Sequence, residues 1–222
     1  LLSNGSYHVM VTASGLATSR WEGLALTRWC ADTALDPGGA RCHVRVHEAP
    51  ACGSTGGRYI GGHDFHDGRA IVWSRDEGLE IRSELAVSVD SAVDLRRVVV
   101  TNLCEKRRSL SATSYAEIVL SPPATDSAHP AFSKLFVETE VDAKRQAIFA
   151  TRRPSTPADP TPWFFHTVLL DGSTAGPLSF ETDRMRFIGR GRDAGNPQAL
   201  DGGRALSGTA GPVLDAVAAI RV

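Results

Sequence analysis

An all-β, antiparallel sandwich is the fold this sequence predicts, on three observations. Period-two alternation of apolar and polar residues recurs in short runs along the whole chain, turn chemistry punctuates those runs, and helical periodicity is scarce. Many short strands separated by turns favour an antiparallel sandwich over strand–helix–strand units.

The alternating runs, in order, are residues 7–11, 43–47, 70–73, 79–87, 95–101 and 110–120. The second half adds 135–141, 147–151, 164–170 and 184–187. Their β-branched and aromatic residues suit a half-buried pleated surface. Between them stand Asp67-Gly68, Glu77-Gly78, Asp90-Ser91, Asn102, Asp171-Gly172 and Asp201-Gly202-Gly203, all turn formers. Residues 211–220 read equally well as a helix or as an extended segment. The Pro-rich stretch 154–162 is a loop rather than a linker, because strand patterning resumes after it. Longer irregular segments at 30–40 and 121–133 are where contacts are expected. Residues 1–222 are expected to form a single β-sandwich domain, and the opening Leu1-Leu2-Ser3 reads as an internal cut from a larger protein.

Charge narrows the function. The chain has 24 basic and 25 acidic residues, a formal net charge of −1, closely interleaved. Nothing here concentrates positive potential, so neither nucleic acid nor an anionic membrane surface is an expected partner. No apolar run reaches the ~18 residues of a membrane span. Four cysteines, Cys30, Cys42, Cys52 and Cys104, lack paired short spacings. They are expected to be reduced thiols in a cytoplasmic setting, with a Cys42–Cys52 bridge as the main exception.

Candidate chemistry is sparse. His63-Asp64-x-His66-Asp67 packs four metal-ligating side chains into five positions, but its flanking glycines make it a polar turn, and no metal is expected. His43 and His47 share one strand face with Arg45 between them, as an exposed polar stripe would. No nucleophile elbow and no Walker loop is present. Glu117, Glu138 and Glu140 are carboxylates of the type that hydrolyse glycosides, yet no spacing sets two of them across a sugar. No catalytic residue and no cofactor is expected. Sugar binding calls for aromatic faces flanked by planar polar groups. Ser19-Arg20-Trp21 and Thr27-Arg28-Trp29 supply two Trp and two Arg, so Arg28 and Trp29, beside the first long loop, are candidate substrate contacts.

Several long strings resemble a known family. Leu1-Leu2-Ser3-Asn4-Gly5-x-Tyr7-x-Val9-Met10-Val11-Thr12, Ser19-Arg20-Trp21 and Leu26-Thr27-Arg28-Trp29 are similar to the sandwich domain of cyclic β-1,2-glucan synthases. The most specific matches are Thr113-Ser114-Tyr115-Ala116-Glu117-Ile118-Val119-Leu120 and Ala128-His129-Pro130-Ala131-Phe132-Ser133-x-Leu135-Phe136-Val137-Glu138-Thr139-Glu140. The segment from Glu181 to Arg192 and Leu206-Ser207-Gly208-Thr209 carry the likeness to nearly the whole chain.

That domain belongs to the glycoside phosphorylase family of cellobiose phosphorylase. The resemblance implies an antiparallel β-supersandwich, similar to galactose mutarotase in fold. It implies a parent enzyme, a glycosyltransferase or glycoside phosphorylase, whose (α/α)₆ barrel carries the catalytic acid and phosphate site. This chain is then a non-catalytic accessory domain, contributing substrate-contacting loops and an oligomer interface. A β-glucan oligosaccharide, the barrel and a homodimer are the implied partners. The family's sugar-contacting loop falls on His129, Phe132, Ser133 and Lys134, with Phe132 stacking and Ser133 and Lys134 bonding hydroxyls. Lys134 stands where a small amide is expected, and Asp36-Pro37-Gly38-Gly39 lacks the expected aromatic. The alternative from the residues is an autonomous carbohydrate-binding module, which needs an exposed aromatic platform. At 7% aromatics, mostly in strand patterns, the sequence does not favour one.

Overall fold

The computed structural model describes all residues except 30–37, 48–59, 77, 155, 158, 160 and 172–177. In chain order its strands are β1 (Leu2–Ser3), β2 (Tyr7–Val11), β3 (Ala17–Trp21), β4 (Leu24–Thr27), β5 (Ala40–Val46), β6 (Ile60–His66), β7 (Arg69–Asp76), β8 (Leu79–Val87), β9 (Asp94–Asn102) and β10 (Leu110–Ser121). Two helical turns follow, α1 (Pro123–Ala128) and α2 (Pro130–Lys134), then β11 (Val137–Asp142), β12 (Ala147–Arg152), β13 (Trp163–Thr167) and β14 (Ser179–Asp183). The chain closes with α3 (Arg184–Ile188), a 3₁₀ segment at Gln198–Gly203, β15 (Gly211–Pro212) and β16 (Ala216–Arg221). Every described strand pairing with a resolved register is antiparallel.

The chain divides into two compact units, each built from two stretches of sequence. Unit 1 comprises Leu1–Glu22 and Val46–Leu110. It contains the β1-β2-β3 ribbon and a meander in the order β6-β7-β8-β9. Alternation puts Val9 and Leu85 at 1% and 0% exposure, while their strand neighbours face outward. Tyr7 is buried beside them and donates its hydroxyl to Asp94, and that burial, reinforced by the Asp94 charge, pushes the phenol far above its usual value. Asn4 ties the start of the chain down by donating to the Ser88 and Ser91 carbonyls at 2.8 and 3.0 Å.

The His63-Asp64-x-His66-Asp67 cluster is not a turn as a whole. Its residues through His66 continue β6, and only Asp67-Gly68 forms the turn, with Gly68 at φ +79°. Alternation sends the two histidines to opposite faces. Among the described residues no group of three or more His, Cys, Asp or Glu side chains is placed to hold a metal ion. Gly62, read from sequence as part of that turn, lies within β6, and the Trp73 indole crosses it. A Cβ there would sit 2.8 Å from the ring, a case of an aromatic covering a strand glycine.

Unit 2 comprises Gly23–Arg45 and Ser111–Val222. One sheet runs β4-β10-β16-β14 with β5 also on β10; the other runs β13-β12-β11-β15. The central strand β16, Ala216–Arg221, is buried along its whole length, as a strand covered on both faces must be. That resolves 211–220 as extended rather than helical. Tyr115, Phe187, Ile188, Ala194, Leu200, Leu206, Val217 and Ala219 form one apolar cluster.

Residues 184–187 overturn the strand expectation. Four alternating residues fit either period, and the local cap decides: the Asp183 side chain accepts from the Met185 and Arg186 amides at 2.8 and 3.4 Å. The strand is the segment before it, β14, and α3 buries Phe187 and Ile188. The irregular stretch 121–133 also holds more order than alternation suggested. Pro123 and Pro130 each occupy a first helical turn, where a missing amide hydrogen costs nothing.

The cysteine expectation is corrected too. Cys104 is disulfide-bonded, whereas Cys42 retains a thiol 3.9 Å from the His43 carbonyl oxygen, so the proposed Cys42–Cys52 bridge does not form. Cys30 and Cys52 lie outside the described residues, as do most of the first long loop and Asp36-Pro37. Spacing along the chain did not reveal the bond because the pairing is spatial. With it goes the cysteine argument for a cytoplasmic setting. No described helix is long and apolar enough to cross a membrane.

Candidate functional site

Six charged side chains from separated parts of unit 2 meet beneath α1 and α2. Glu117, on β10, is 1% exposed and forms the centre. Its Oε2 accepts from Arg28 Nη1 at 2.9 Å, and its Oε1 accepts from Arg184 Nε at 3.0 Å and the Tyr115 hydroxyl at 2.9 Å. Asp215, just before β16, takes Lys134 Nζ at 2.5 Å and Arg28 Nη1 at 3.3 Å. Arg28 Nε also reaches Asp126 Oδ2 of α1 at 3.5 Å. Three cations therefore balance three carboxylates.

Local sequence explains why these groups meet. Glu117 lies in a strand buried on both faces, and Leu120, at φ +54°, sits at an irregularity in the β4–β10 register just before the chain enters the helical turns. Gly38 packs against the same carboxylate: a Cβ there would stand 3.1 Å from Glu117 Oε2.

Burial and charge compete in the cluster. Desolvation raises the Glu117 carboxyl above its ordinary value, against the pull of Arg28 and Tyr115. For Arg28, desolvation works against the charge, but Asp215, Glu117 and Asp126 outweigh it and push the value up. Desolvation lowers Arg184, with Asp215 opposing and the like charge of Arg28 adding to the fall. The Tyr115 phenol is held well above its usual value, first by burial and then by the Glu117 charge. A cluster this buried holds its geometry because breaking one pair strands the other charges.

The sequence-predicted contacts divide here. His129 and Phe132 are exposed, with Phe132 63% accessible and its ring edge-on to Phe136 at 5.0 Å. Behind that pair, the Arg152 and Arg153 guanidiniums lie 5.3 Å from the Phe136 ring. Ser133 is 2% exposed and turns inward toward Ser121, 3.5 Å away, while its carbonyl accepts from Arg152 at 2.9 Å. Lys134 points down to Asp215. Arg28 faces the cluster rather than solvent, with its Nη2 buried, and Trp29 is half-buried beside it. The structure thus brings Arg28 and Lys134 onto one carboxylate and leaves Phe132 and His129 projecting. Sequence reasoning missed Asp215, Arg184 and Asp126; no local spacing relates them to Glu117.

His43 corrects the exposed-stripe expectation for β5. It is half-buried, with its ring centroid 6.3 Å from those of both Tyr115 and Phe187. Burial, with Arg41, Arg45 and Arg221 nearby, lowers its pKa to about 3. Below the ordinary imidazole value of ~6.5, the unfolded chain takes up a proton that the folded chain refuses. Stability therefore falls as pH drops from that value toward about 3. His43→Leu is expected to remove about 2 kcal/mol of the stability difference between neutral and mildly acidic pH. Parallel urea titrations of both proteins measure it; identical pH slopes would show that His43 protonates freely in the fold.

Comparison with known proteins gives the chain its place. It matches the family described as glycosyl hydrolase 94, supersandwich domain, over residues 1–222. It is 35% identical over 229 residues to the cyclic beta-(1,2)-glucan synthase NdvB of Rhizobium meliloti (strain 1021), a match that covers 100% of this chain and 8% of that relative. Antiparallel sheets among the described residues, a family match across residues 1–222 and a relative whose match spans the whole of this chain agree: this chain belongs to the supersandwich domain family of glycosyl hydrolase 94.

Proposed function

We propose that this chain is a non-catalytic accessory module of a β-glucan-processing enzyme, and that residues 1–222 act as one module within it. The similarity to a cyclic glucan synthase supports the substrate class, and the match to the supersandwich family over the whole chain supports the single module. One observation carries the loop role: α2 is pinned at its base by Lys134–Asp215 while Phe132 projects 63% exposed. A rigid turn presenting an aromatic face is suited to stack on a sugar ring at little entropic cost. In this reading Phe132 and His129 touch the glucan, whereas Ser133, Lys134 and Arg28 position them and Trp29 backs the cluster. The catalytic barrel and a second subunit are the partners the loop would serve.

The test uses the enzyme that carries this chain. Phe132→Ala is expected to raise KM for linear β-1,2-glucan about tenfold, equivalent to ~1.4 kcal/mol of binding, with kcat little changed. An unchanged KM would refute the contact. The chain alone, given glucan and phosphate, is expected to show no phosphate-dependent cleavage; measurable turnover refutes the non-catalytic assignment.

A further inference from the structure

The outer face of the β13-β12-β11 sheet carries a second arrangement suited to sugar, built from residues other than those of α2. On β13, Trp163 and Phe165 are 63% and 51% exposed while Phe164 and His166 turn inward. Register places Phe165 opposite Phe149, and Phe149 opposite Glu140. The neighbouring row runs Trp163, Thr151, Glu138 by the same pairings. Cross-strand partners share a face, so three aromatic rings and two carboxylates lie on one pleated surface. The inward face is formed by Ile148 and Ala150 of β12 with Val137 and Thr139 of β11, all buried.

Two hydrogen bonds hold this edge strand at its ends. Thr151 Oγ1 donates to the Pro162 carbonyl at 3.0 Å, immediately before Trp163, and Thr167 Oγ1 donates to the Gln146 carbonyl at 3.0 Å. The rings at 163 and 165 are two residues apart, a spacing of about 7 Å along a strand, comparable to the length of one hexose unit. Glu138 and Glu140 are exposed, and neither is ion-paired among the described residues.

We propose that this face binds an oligosaccharide chain, with Trp163 and Phe165 stacking on successive rings, Phe149 flooring the surface, and Glu138 and Glu140 accepting sugar hydroxyls. The chemistry favours sugar over a protein partner. Protein interface cores are depleted in Glu, and closing an apolar surface over two carboxylates without cations would leave them desolvated. Sugar presents apolar C–H faces to the rings and hydroxyl donors to the carboxylates together. The choice of a β-glucan rests on the functional reading above; the surface itself does not.

Trp163 reports on its own occupancy. Titrating this chain with size-fractionated linear β-1,2-glucan is expected to shift its tryptophan emission saturably. Trp163→Ala should abolish that shift. Binding followed by calorimetry should weaken at least tenfold in Trp163→Ala and several-fold in Phe165→Ala or Glu140→Ala. Unchanged far-ultraviolet dichroism would show that these exposed sites leave the fold intact. Absence of saturable binding overturns the proposal, as does affinity unaltered in Trp163→Ala and Phe165→Ala. Self-association that Trp163→Ala abolishes, without glucan binding, overturns it in favour of an interface between copies. If binding persists in those variants but is lost in Phe132→Ala, the sheet-face proposal fails while the α2 reading stands. A KM unmoved by Phe132→Ala in the parent enzyme strikes that reading alone.

Discussion

Glu117→Ala is expected to destabilise the chain by about 3–5 kcal/mol, the cost of breaking a buried ion pair from one side. The carboxylate is 1% exposed and accepts three hydrogen bonds, from Arg28, Arg184 and Tyr115. Alanine removes both acceptor oxygens, and with them all three hydrogen bonds, and leaves two guanidiniums facing one another across a void. Asp215 relieves part of this, since it already lies 3.3 Å from Arg28 and 3.9 Å from Arg184. Glu117→Gln keeps the volume and one acceptor oxygen, so its loss should be smaller, about 1–3 kcal/mol. Urea unfolding measures the order: alanine worse than glutamine, with roughly a 10 °C fall in Tm for alanine. Equal, small losses in both variants would show that the cluster is solvated rather than buried. Because Lys134 and Asp126 join the same network, the alanine variant should also loosen α1 and α2, which faster amide exchange there would reveal.

Phe187→Ala is expected to cost a similar amount, about 3–5 kcal/mol, through lost burial and a residual cavity. Phe187 is 0% exposed and stacks on Tyr115, with centroids 4.6 Å apart and planes 17° off parallel. Leucine at this position keeps much of the volume and should lose less than half as much. The alanine variant carries a second signature. Opening the space beside His43 relieves the desolvation that dominates its depressed pKa, so the imidazole should move up from about 3 toward its ordinary value. Imidazole titration by NMR follows that move. A His43 pKa unchanged in Phe187→Ala would mean that Arg41, Arg45 and Arg221, rather than apolar packing, set it.

The strands were legible because alternation over five or more residues has only one reading on a pleated sheet, as 79–87 and 110–120 show. Short segments were not. Residues 184–187 fit a helix or a strand equally, and a capping Asp183 chose the helix. The proline pair at 123 and 130 did carry a helix-start signal, which the loop-like composition between them masked. Trp163, Phe164 and Phe165 are all aromatic, so alternation alone does not say which rings point outward. Phe132 stood out in the sequence as an aromatic in a segment of likeness, and its exposure followed only from the fold. That Ser133 turns inward and Lys134 is spent on Asp215 was not.

By itself, the sequence determined the all-β class, the position of most strands, and the strings of likeness that agree with the match to the supersandwich domain family of glycosyl hydrolase 94. These depend on neighbours a few residues apart, where the pleat repeats every two positions. Only the tertiary structure decided that residues 28, 117, 126, 134, 184 and 215 form one ion cluster, that Cys104 is oxidised, and that Trp163 and Phe165 face out. Charges, sulfurs and sheet faces meet through space across long sequence separations, and the pairing of strands, not their composition, sets which of them touch.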